Sequence, residues 1–469
     1  MGLETSLGLK AEHLNVDIAV QGIAGAKSAF IPTLTLGFTG NTTVRQSTDF
    51  TQGNANISSD NTGGQGALDQ ALPWNGTKYH IGWNANRLTS VGGIQTFNPQ
   101  LGSTFSFNVT QPLWRNLKID TNRGGVRTSE ISQKMSDVNL QQRIVLIDAS
   151  IRRAYLSLVG AIKGQEVAQQ NMDIAQESLR AARSRVAVGV SPQTDVIQAQ
   201  AQAASFEEQL IIANSQISTA EDQLRAMILD QSRPDYWSLK LQPTSDILLT
   251  PQTIDVDAVV KNALANRLDA AVQRDQIQIT DLNLKVNQNL ARPQLDLSAA
   301  YTATGTGGTQ FTYGTGFPPA VIAESDRAFS SALSDAFLGA YPSWTVGVLM
   351  GYPIGRSGAQ TAATQNQLTK HQQEINLQAL EIEIVREVRD AVRQVQTTYQ
   401  AVQATQAALQ ASQAQLDAQQ KRFAVGLISS FELQQNERDL ATAKQNDLQA
   451  KISYNLALIT FNAVQKIAQ

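Results

Sequence analysis

The sequence predicts a mixed α and β chain, internally duplicated, with two long α-helical hairpins and four β-strands. Three observations predict it. The stretches "SRVAVGVSPQTDV" (Ser184–Val196) and "KRFAVGLISSFEL" (Lys421–Leu433) both read Arg-x-Ala-Val-Gly-apolar and both reach an acid six positions after the glycine, 237 residues apart. Apolar residues recur every seven positions on both sides of each stretch, in shared register. Four other segments alternate apolar and polar residues with period two, and they come in pairs, one pair ahead of each heptad region.

Composition narrows the function. The 469 residues include no cysteine and only three histidines, and the formal net charge is −3. Disulfides, thiolate nucleophiles and most zinc sites are thereby excluded. A chain this close to neutral suggests no nucleic-acid partner and no polybasic membrane anchor. No stretch approaches the roughly 18 consecutive apolar residues of a membrane-spanning helix. The histidines His13, His80 and His371 are too scattered to suggest a metal, and no nucleophile–base pair points to an enzyme or a cofactor.

Taken in order, residues 1–31 read as an N-terminal helix. Residues 32–113 hold the first strand pair. "TLTLGFTG" sets Leu34, Leu36 and Phe38 against Thr33, Thr35 and Gly37; "STFSFNVTQPLW" sets Phe105, Phe107, Val109 and Leu113 against Ser106, Asn108 and Thr110. The connection between them, opening "NTTVRQSTDFTQGNANISSDNTGGQG" and running to about Gln100, has loop composition. Residues 114–229 are the first helical hairpin. Its bulky seam is Ile144, Ile151, Leu158, Gln165, Met172, Leu179 and Val186, with Ala154, Ala161, Ala168, Ala175 and Ala182 as a small seam that lets backbones approach closely. From Asn122 to Val188 no proline intervenes, enough for a helix of roughly 100 Å at 1.5 Å per residue. Gly189 then ends the arm, placing the tip near 188–191.

A linker at 230–255 and a helix at 256–292 lead to the second strand pair, residues 293–354. Here "QLDLSAAYT" sets Leu295, Leu297, Ala299 and Tyr301 against Asp296 and Ser298, and "WTVGVLMGYP" sets Trp344, Val346 and Val348 against Thr345 and Gly347. "GTGGTQFTYGTGFPPA" between them again reads as a loop. Gly305, Gly307 and Gly308 there lack the Lys-Ser/Thr of a phosphate-binding loop, so a surface loop is the expectation. Residues 355–469 are the second hairpin, with Val388, Val395, Val402, Leu409, Leu416 and Phe423 as its seam and a tip near 425–428. Each alternating segment is about ten residues, the length of a tilted strand crossing a bilayer, so Leu34, Leu36, Phe38, Phe105, Phe107, Val109, Leu295, Leu297, Trp344, Val346 and Val348 are expected to face lipid.

Strand pair, long helix, Val-Gly-apolar tip, returning helix, and all of it again, together with "AFIPTLTL", "ARPQLDL", "TQPLW" and "GYPIG", resembles the outer-membrane factor (TolC-like) family of efflux and type I secretion exit ducts. The resemblance covers essentially the whole chain. It implies a homotrimer whose four strands per chain close a 12-stranded β-barrel in the outer membrane of a Gram-negative-type bacterium, continued by a coiled-coil tunnel in the periplasm. Its implied partners are outer-membrane lipid, a periplasmic adaptor and, through it, an inner-membrane pump. The repeat aligns Leu7 with Leu268, so about ten residues of leading helix and an export signal are expected to lie upstream of "MGLETSLGLKAEHLNVD".

The resemblance also implies a gate. Glu432 matches the family's acidic ring beyond the second tip, while the family's second acid is replaced by Gln435. Three Glu432 carboxylates about 10 Å apart would repel by roughly 0.4 kcal/mol per pair in bulk water and more in a confined mouth. Asp195 resembles the acid that locks neighbouring hairpins, but the aromatic hydroxyl it pairs with is Phe423 here and the basic residue after the tip is Ile428, leaving Arg185 or Arg422 to substitute. Val188, Gly189, Val190, Val425, Gly426 and Leu427 resemble the positions that dock the adaptor. Glu432 and Asp195 also fit a plainer role as first-turn acids at helix N-termini. Trp114 and Trp344, at strand ends, fit interfacial aromatic girdles. A periplasmic coiled-coil adaptor or scaffold is the rival reading; an adaptor normally carries one hairpin per chain, and neither accounts for membrane-length alternating strands.

Overall fold

The computed structural model describes residues 6–48, 56–92, 94–232, 234–247, 249–316 and 319–465. The chain divides into two compact units, one of Met1–Ile18, Lys134–Gln276 and Gln373–Gln469, the other of Ala19–Gln133 and Ile277–Gln372.

The first unit holds the hairpins from Lys134 and Gln373 onward. Helices α2 (Thr121–Ala187) and α3 (Gln193–Ile228) form one, α7 (Gly358–Ala424) and α8 (Ser430–Gln465) the other. The duplication is metrical: the arms are 67 and 36 residues in both. The heptad seams are the cores. Leu158 packs with Ala154, Ala220 and Leu224; Met172 and Ala175 pack with Ala203 and Phe206; Leu416 packs with Leu433 and Leu440. Leu158 is wholly buried, so its truncation to Ala would leave a cavity costing about 3–5 kcal/mol. The linker is laced to the helices by polar contacts: Tyr155 Oη accepts from the Ser245 N–H (2.9 Å), Tyr454 Oη donates to the Thr250 carbonyl (2.6 Å), and buried Arg225 donates to the Leu239 carbonyl (2.8 Å). The single helix expected over 256–292 is two, α4 (Val256–Asn266) and α5 (Leu268–Leu290). Arg267 between them is extended, and its guanidinium bridges Asp269 (2.6 Å) and Glu387 of α7 (2.5 Å), a pair of charge-assisted bonds that hold the break.

The second unit is a sheet of seven strands: β1 (Thr33–Gln46), β2 (Asn56–Ala71), β3 (Lys78–Val91), β4 (Phe97–Pro112), β5 (Gln294–Tyr313), β6 (Val321–Arg327) and β7 (Pro342–Gly351). Helix α1 (Leu7–Lys27) leads into β1. All pairings are antiparallel, in the order β1-β2-β3-β4-β5, with β7 and β6 following each other along the far edge of β5. The four expected strands are β1, β4, β5 and β7.

The two expected loops are corrected. Residues 56–71 and 78–91 are strands, and β1 pairs with β2 rather than with β4. Glycine and polar content suggest a loop, but Leu68, Ile81 and Trp83 alternate with Asp69, His80 and Asn84 across the two paired segments. The second expected loop is mostly the outer half of β5, followed by β6. Residues 49–55 and 317–318 of these segments lie outside the described residues.

Gly305, Gly307 and Gly308 therefore sit in a strand, not in a surface loop, and the reason is close approach. A short helix, α6 (Phe329–Leu338), lies on the sheet. A Cβ on Gly305 would stand 1.9 Å from the Ala332 carbonyl oxygen, and one on Gly307 would stand 2.8 Å from that of Arg327. Gly308 has φ +110 against Pro99 at the irregularity between Phe97 and Gln100. Ala332 and Ala336 are buried on this glycine bed, and Phe337 packs on Phe105 (centroids 5.5 Å) and Trp83 (6.5 Å). Gly305→Val is expected to dislodge α6. Amide exchange over Phe329–Leu338 should accelerate at least tenfold while the hairpins are unaffected.

Candidate functional site

The two tips are built alike from the backbone up. In the first, Gly189 (φ +79) donates to the Val186 carbonyl (3.0 Å) and Val190 to that of Arg185 (3.0 Å). In the second, Gly426 (φ +77) donates to Phe423 (3.0 Å) and Leu427 to Arg422 (2.9 Å). Both are Schellman endings, and each requires a left-handed residue that glycine supplies without strain. The turn leaves apolar side chains in water: Val188, Val190, Val425 and Leu427 are 68–73 % exposed.

The descending arms begin differently. Pro192 is the N-cap of α3, with no side-chain cap, and half-buried Asp195 lies in the first turn. At the second tip Ser429 and Glu432 form a capping box: the Glu432 N–H donates to Ser429 Oγ (3.2 Å), and the Ser429 N–H donates to Glu432 Oε2 (3.2 Å). Glu432 is exposed and, besides any other role, holds the start of α8.

The structure brings Arg185 and Phe423 together. The Arg185 guanidinium lies over the Phe423 ring, 4.1 Å from its centroid, and donates through Nη2 to the Phe423 carbonyl (3.2 Å). The ring in turn packs against the Leu416/Leu433/Leu440 core. One cation thus fastens the first hairpin to the second immediately above both tips. Arg422 is exposed and enters the tip through its carbonyl. Gln435 donates to Asp439 (2.9 Å) and accepts from Arg438 (2.8 Å). Arg438 also donates to Gln202 of α3 (2.9 Å), a second tie between hairpins.

Sequence reasoning missed a third. Glu437 of α8 is 4 % exposed and accepts from Ser178 of α2 through Oε1, while its buried Oε2 has no hydrogen-bond partner among the described residues. Burial pushes its carboxyl above the ordinary glutamate range, against the Ser178 hydrogen bond and the Arg438 charge, which pull it down. The available signal was its position: Leu433, Glu437 and Leu440 share one helical stripe, so the acid interrupts an apolar face.

Every residue expected to face lipid lies on one face of the sheet. One row crosses six strands as Leu34–Leu68–Ile81–Phe107–Tyr301–Trp344, and the alternate row as Thr33–Asp69–His80–Asn108–Ala300–Thr345. The first face is apolar; it is open at β1 and β7, with Phe38 at 88 % exposure, and covered by α6 at Trp83, Phe105 and Gly305. The second is polar and carries the Asp69–His80 pair (2.7 Å).

Comparisons agree with this architecture. The sequence profile of the family described as outer membrane efflux protein matches residues 2–228 and 259–464. A comparison with curated sequences finds no match. Among solved structures, a membrane protein from Pseudomonas aeruginosa is 14 % identical with a TM-score of 0.69, covering 99 % of this chain and 91 % of its own. The outer membrane protein VceC from Vibrio cholerae is 16 % identical (TM-score 0.66; 100 % and 95 % covered). The Campylobacter jejuni CmeC outer membrane channel is 15 % identical (0.65; 97 % and 82 %).

Proposed function

Because the chain belongs to the outer membrane efflux protein family, we propose that it works as the exit duct of a tripartite efflux or type I secretion machine. Three copies would close one barrel in the outer membrane and one helical tunnel in the periplasm, where an adaptor linked to an inner-membrane pump docks on the tips. The observation that carries this reading is the open, two-faced sheet. Among the described residues β1 pairs only with β2, and the outer edge of β7 is likewise without a partner strand. Such edges are not tolerated in lipid, so further copies must complete the sheet. The exposed valines and leucine at the tips support docking, since apolar side chains at a turn call for a covering surface.

Gating follows from the tips. Tunnel helices fastened by Arg185, Arg438 and Glu437 would hold the mouth shut, and their release would open it. Glu432 would line the mouth as an anionic ring favouring cations; Asp195 stands at the same offset in the other hairpin. The capping box makes the test clean, because glutamine also serves at the third helical position. In planar bilayers the wild-type trimer should show a small cation-preferring conductance, and Glu432→Gln should lose most of that preference without unfolding the tip. Unchanged selectivity would move the filter elsewhere. Detergent-extracted protein that is monomeric would refute the duct itself.

A further inference from the structure

We infer that each chain contributes six strands to the membrane wall, so that the barrel has eighteen strands and a bore wider than the twelve-stranded one expected from four per chain. The inference rests on the trimeric duct proposed above. It starts from hydrogen bonding: β1, β2, β3, β4, β5 and β7 follow one another without a gap, and short β6 pairs only with the end of β5 beyond β7. With 16 and 14 residues, β2 and β3 exceed the roughly 9–11 that a tilted strand needs to cross a bilayer.

Their sidedness is that of the wall. Leu68, Ile81 and Trp83 fall on the apolar face; Gln65, Asp69, His80 and Asn84 fall on the polar one. A hairpin standing outside the membrane would have no reason to keep this code in step with both neighbours, since a one-residue slip would invert it. On the apolar face β2 carries Gly64 and Gly66, and β1 covers them: a Cβ there would meet Phe38 and Leu36, each at 3.4 Å. The apolar face therefore continues across the added strands through Leu68, Ile81 and Trp83, with α6 seated on Trp83 and the polar pair Thr62–Arg87 toward the far end.

Their return is also at the right end. The turn between β2 and β3 spans Leu72–Thr77, with Asn75 and Gly76 both left-handed, and lies beside the starts of β1 and β5 rather than beyond their far ends. It is seated there by Gln111, which donates to the Asn75 carbonyl (3.1 Å) and accepts from Thr77 Oγ1 (2.5 Å). The hairpin thus spans the full height of the wall.

Barrel diameter grows about linearly with strand number, so eighteen strands give a bore about 1.5 times that of twelve. The outer-membrane exit would then never be the sieve. Size selection would fall on the tips, and the duct suits bulky cargo, in the size range of a polypeptide rather than of a small ion or molecule only.

The absence of cysteine from the chain makes the test direct. Single cysteines at Leu68→Cys and Ile81→Cys on the apolar face, and Gln65→Cys and Asn84→Cys on the polar face, are placed in the full chain in liposomes, with Val346→Cys and Thr345→Cys on β7 as controls. A hydrophilic maleimide should label Gln65→Cys, Asn84→Cys and Thr345→Cys at least tenfold faster than the other three until detergent is added. If the β7 controls alternate but all four β2 and β3 positions label alike, the added hairpin lies outside the membrane; the inference fails and the duct stands. If the controls do not alternate either, the duct reading falls, and the inference with it. Counting strands in the detergent-extracted trimer by electron cryomicroscopy gives a second readout: eighteen is expected, and twelve overturns the proposal.

Discussion

Arg185→Ala is expected to raise the open probability of the periplasmic mouth about tenfold or more. The side chain makes two contacts with the other hairpin, a cation–π stack on Phe423 at 4.1 Å and a charged hydrogen bond to the Phe423 carbonyl at 3.2 Å. Partly exposed contacts of these kinds contribute together about 1–3 kcal/mol, and each 1.4 kcal/mol is a factor of ten in an equilibrium. In the proposed trimer the loss would occur three times around one mouth, so the closed state would be weakened more than any single contact suggests. Single-channel recordings check it, as frequent large-conductance openings where the wild type stays nearly shut. Arg185→Lys keeps the charge but loses the planar fork, and should fall between the two. Phe423→Leu should remove the stack while sparing the carbonyl bond. A double variant no leakier than the stronger single would show that the two residues act as one fastening. Recordings of Arg185→Ala indistinguishable from wild type would sink the idea.

How much of this was legible beforehand differs by element. The hairpins were readable because a seven-residue repeat over 67-residue arms is a strong periodic signal, and because Gly189 and Gly426 stop the arms where only a left-handed residue can. Leu34, Leu36, Phe38, Val346 and Val348 were readable as one sheet face because period two is unambiguous over eight residues. The strands β2 and β3 were not, since Gly63, Gly64, Gly66 and the run of Asn and Ser lower strand propensity, and their fit depends on β1 side chains lying over bare backbone. Yet "PWNGTK" held an Asn-Gly turn between two alternating runs, the strongest local hairpin signal.

At the tips, residue types were legible and partners were not. Arg185 and Phe423 stand 238 positions apart, and nothing local pairs them. The capping box at Ser429 and Glu432 could be read directly as Ser-x-x-Glu, and it gives Glu432 a structural task alongside its proposed place in the mouth. The two are compatible because a single carboxylate oxygen, Oε2, accepts the Ser429 N–H. Duplication explains the likeness of the tips, and divergence at Pro192 against Ser429 explains their different helix starts.

Glu437→Gln is expected to abolish most of the pH dependence of tip opening and to leave the mouth more tightly closed wherever the wild-type carboxyl is ionised. The Glu437 carboxyl is buried between α8 and α2, with Ser178 donating to one oxygen and the other without a partner among the described residues. Arg438, the neighbouring cation, points instead to Gln202 and Gln435. Burial raises the pKa above its ordinary value of 4.5, so the protonated form fits the seam and the anion does not. The sign follows from linkage: the seam has its full stability below the ordinary value and loses it as the pH rises through the raised one. Rising pH should therefore loosen the junction of the hairpins, and falling pH should tighten it. Glutamine keeps an oxygen for Ser178 and carries no charge, removing a burial penalty of about 1–3 kcal/mol. The check is open probability against pH for both proteins, with amide exchange around Ser178 in parallel. Wild type should open more with rising pH while Glu437→Gln stays flat, and exchange in the variant should be about tenfold slower than in the wild type once its Glu437 is ionised. Identical pH profiles would place the titrating group elsewhere, whereas a variant that opens more readily than wild type would mean that the Glu437 charge itself stabilises the closed seam.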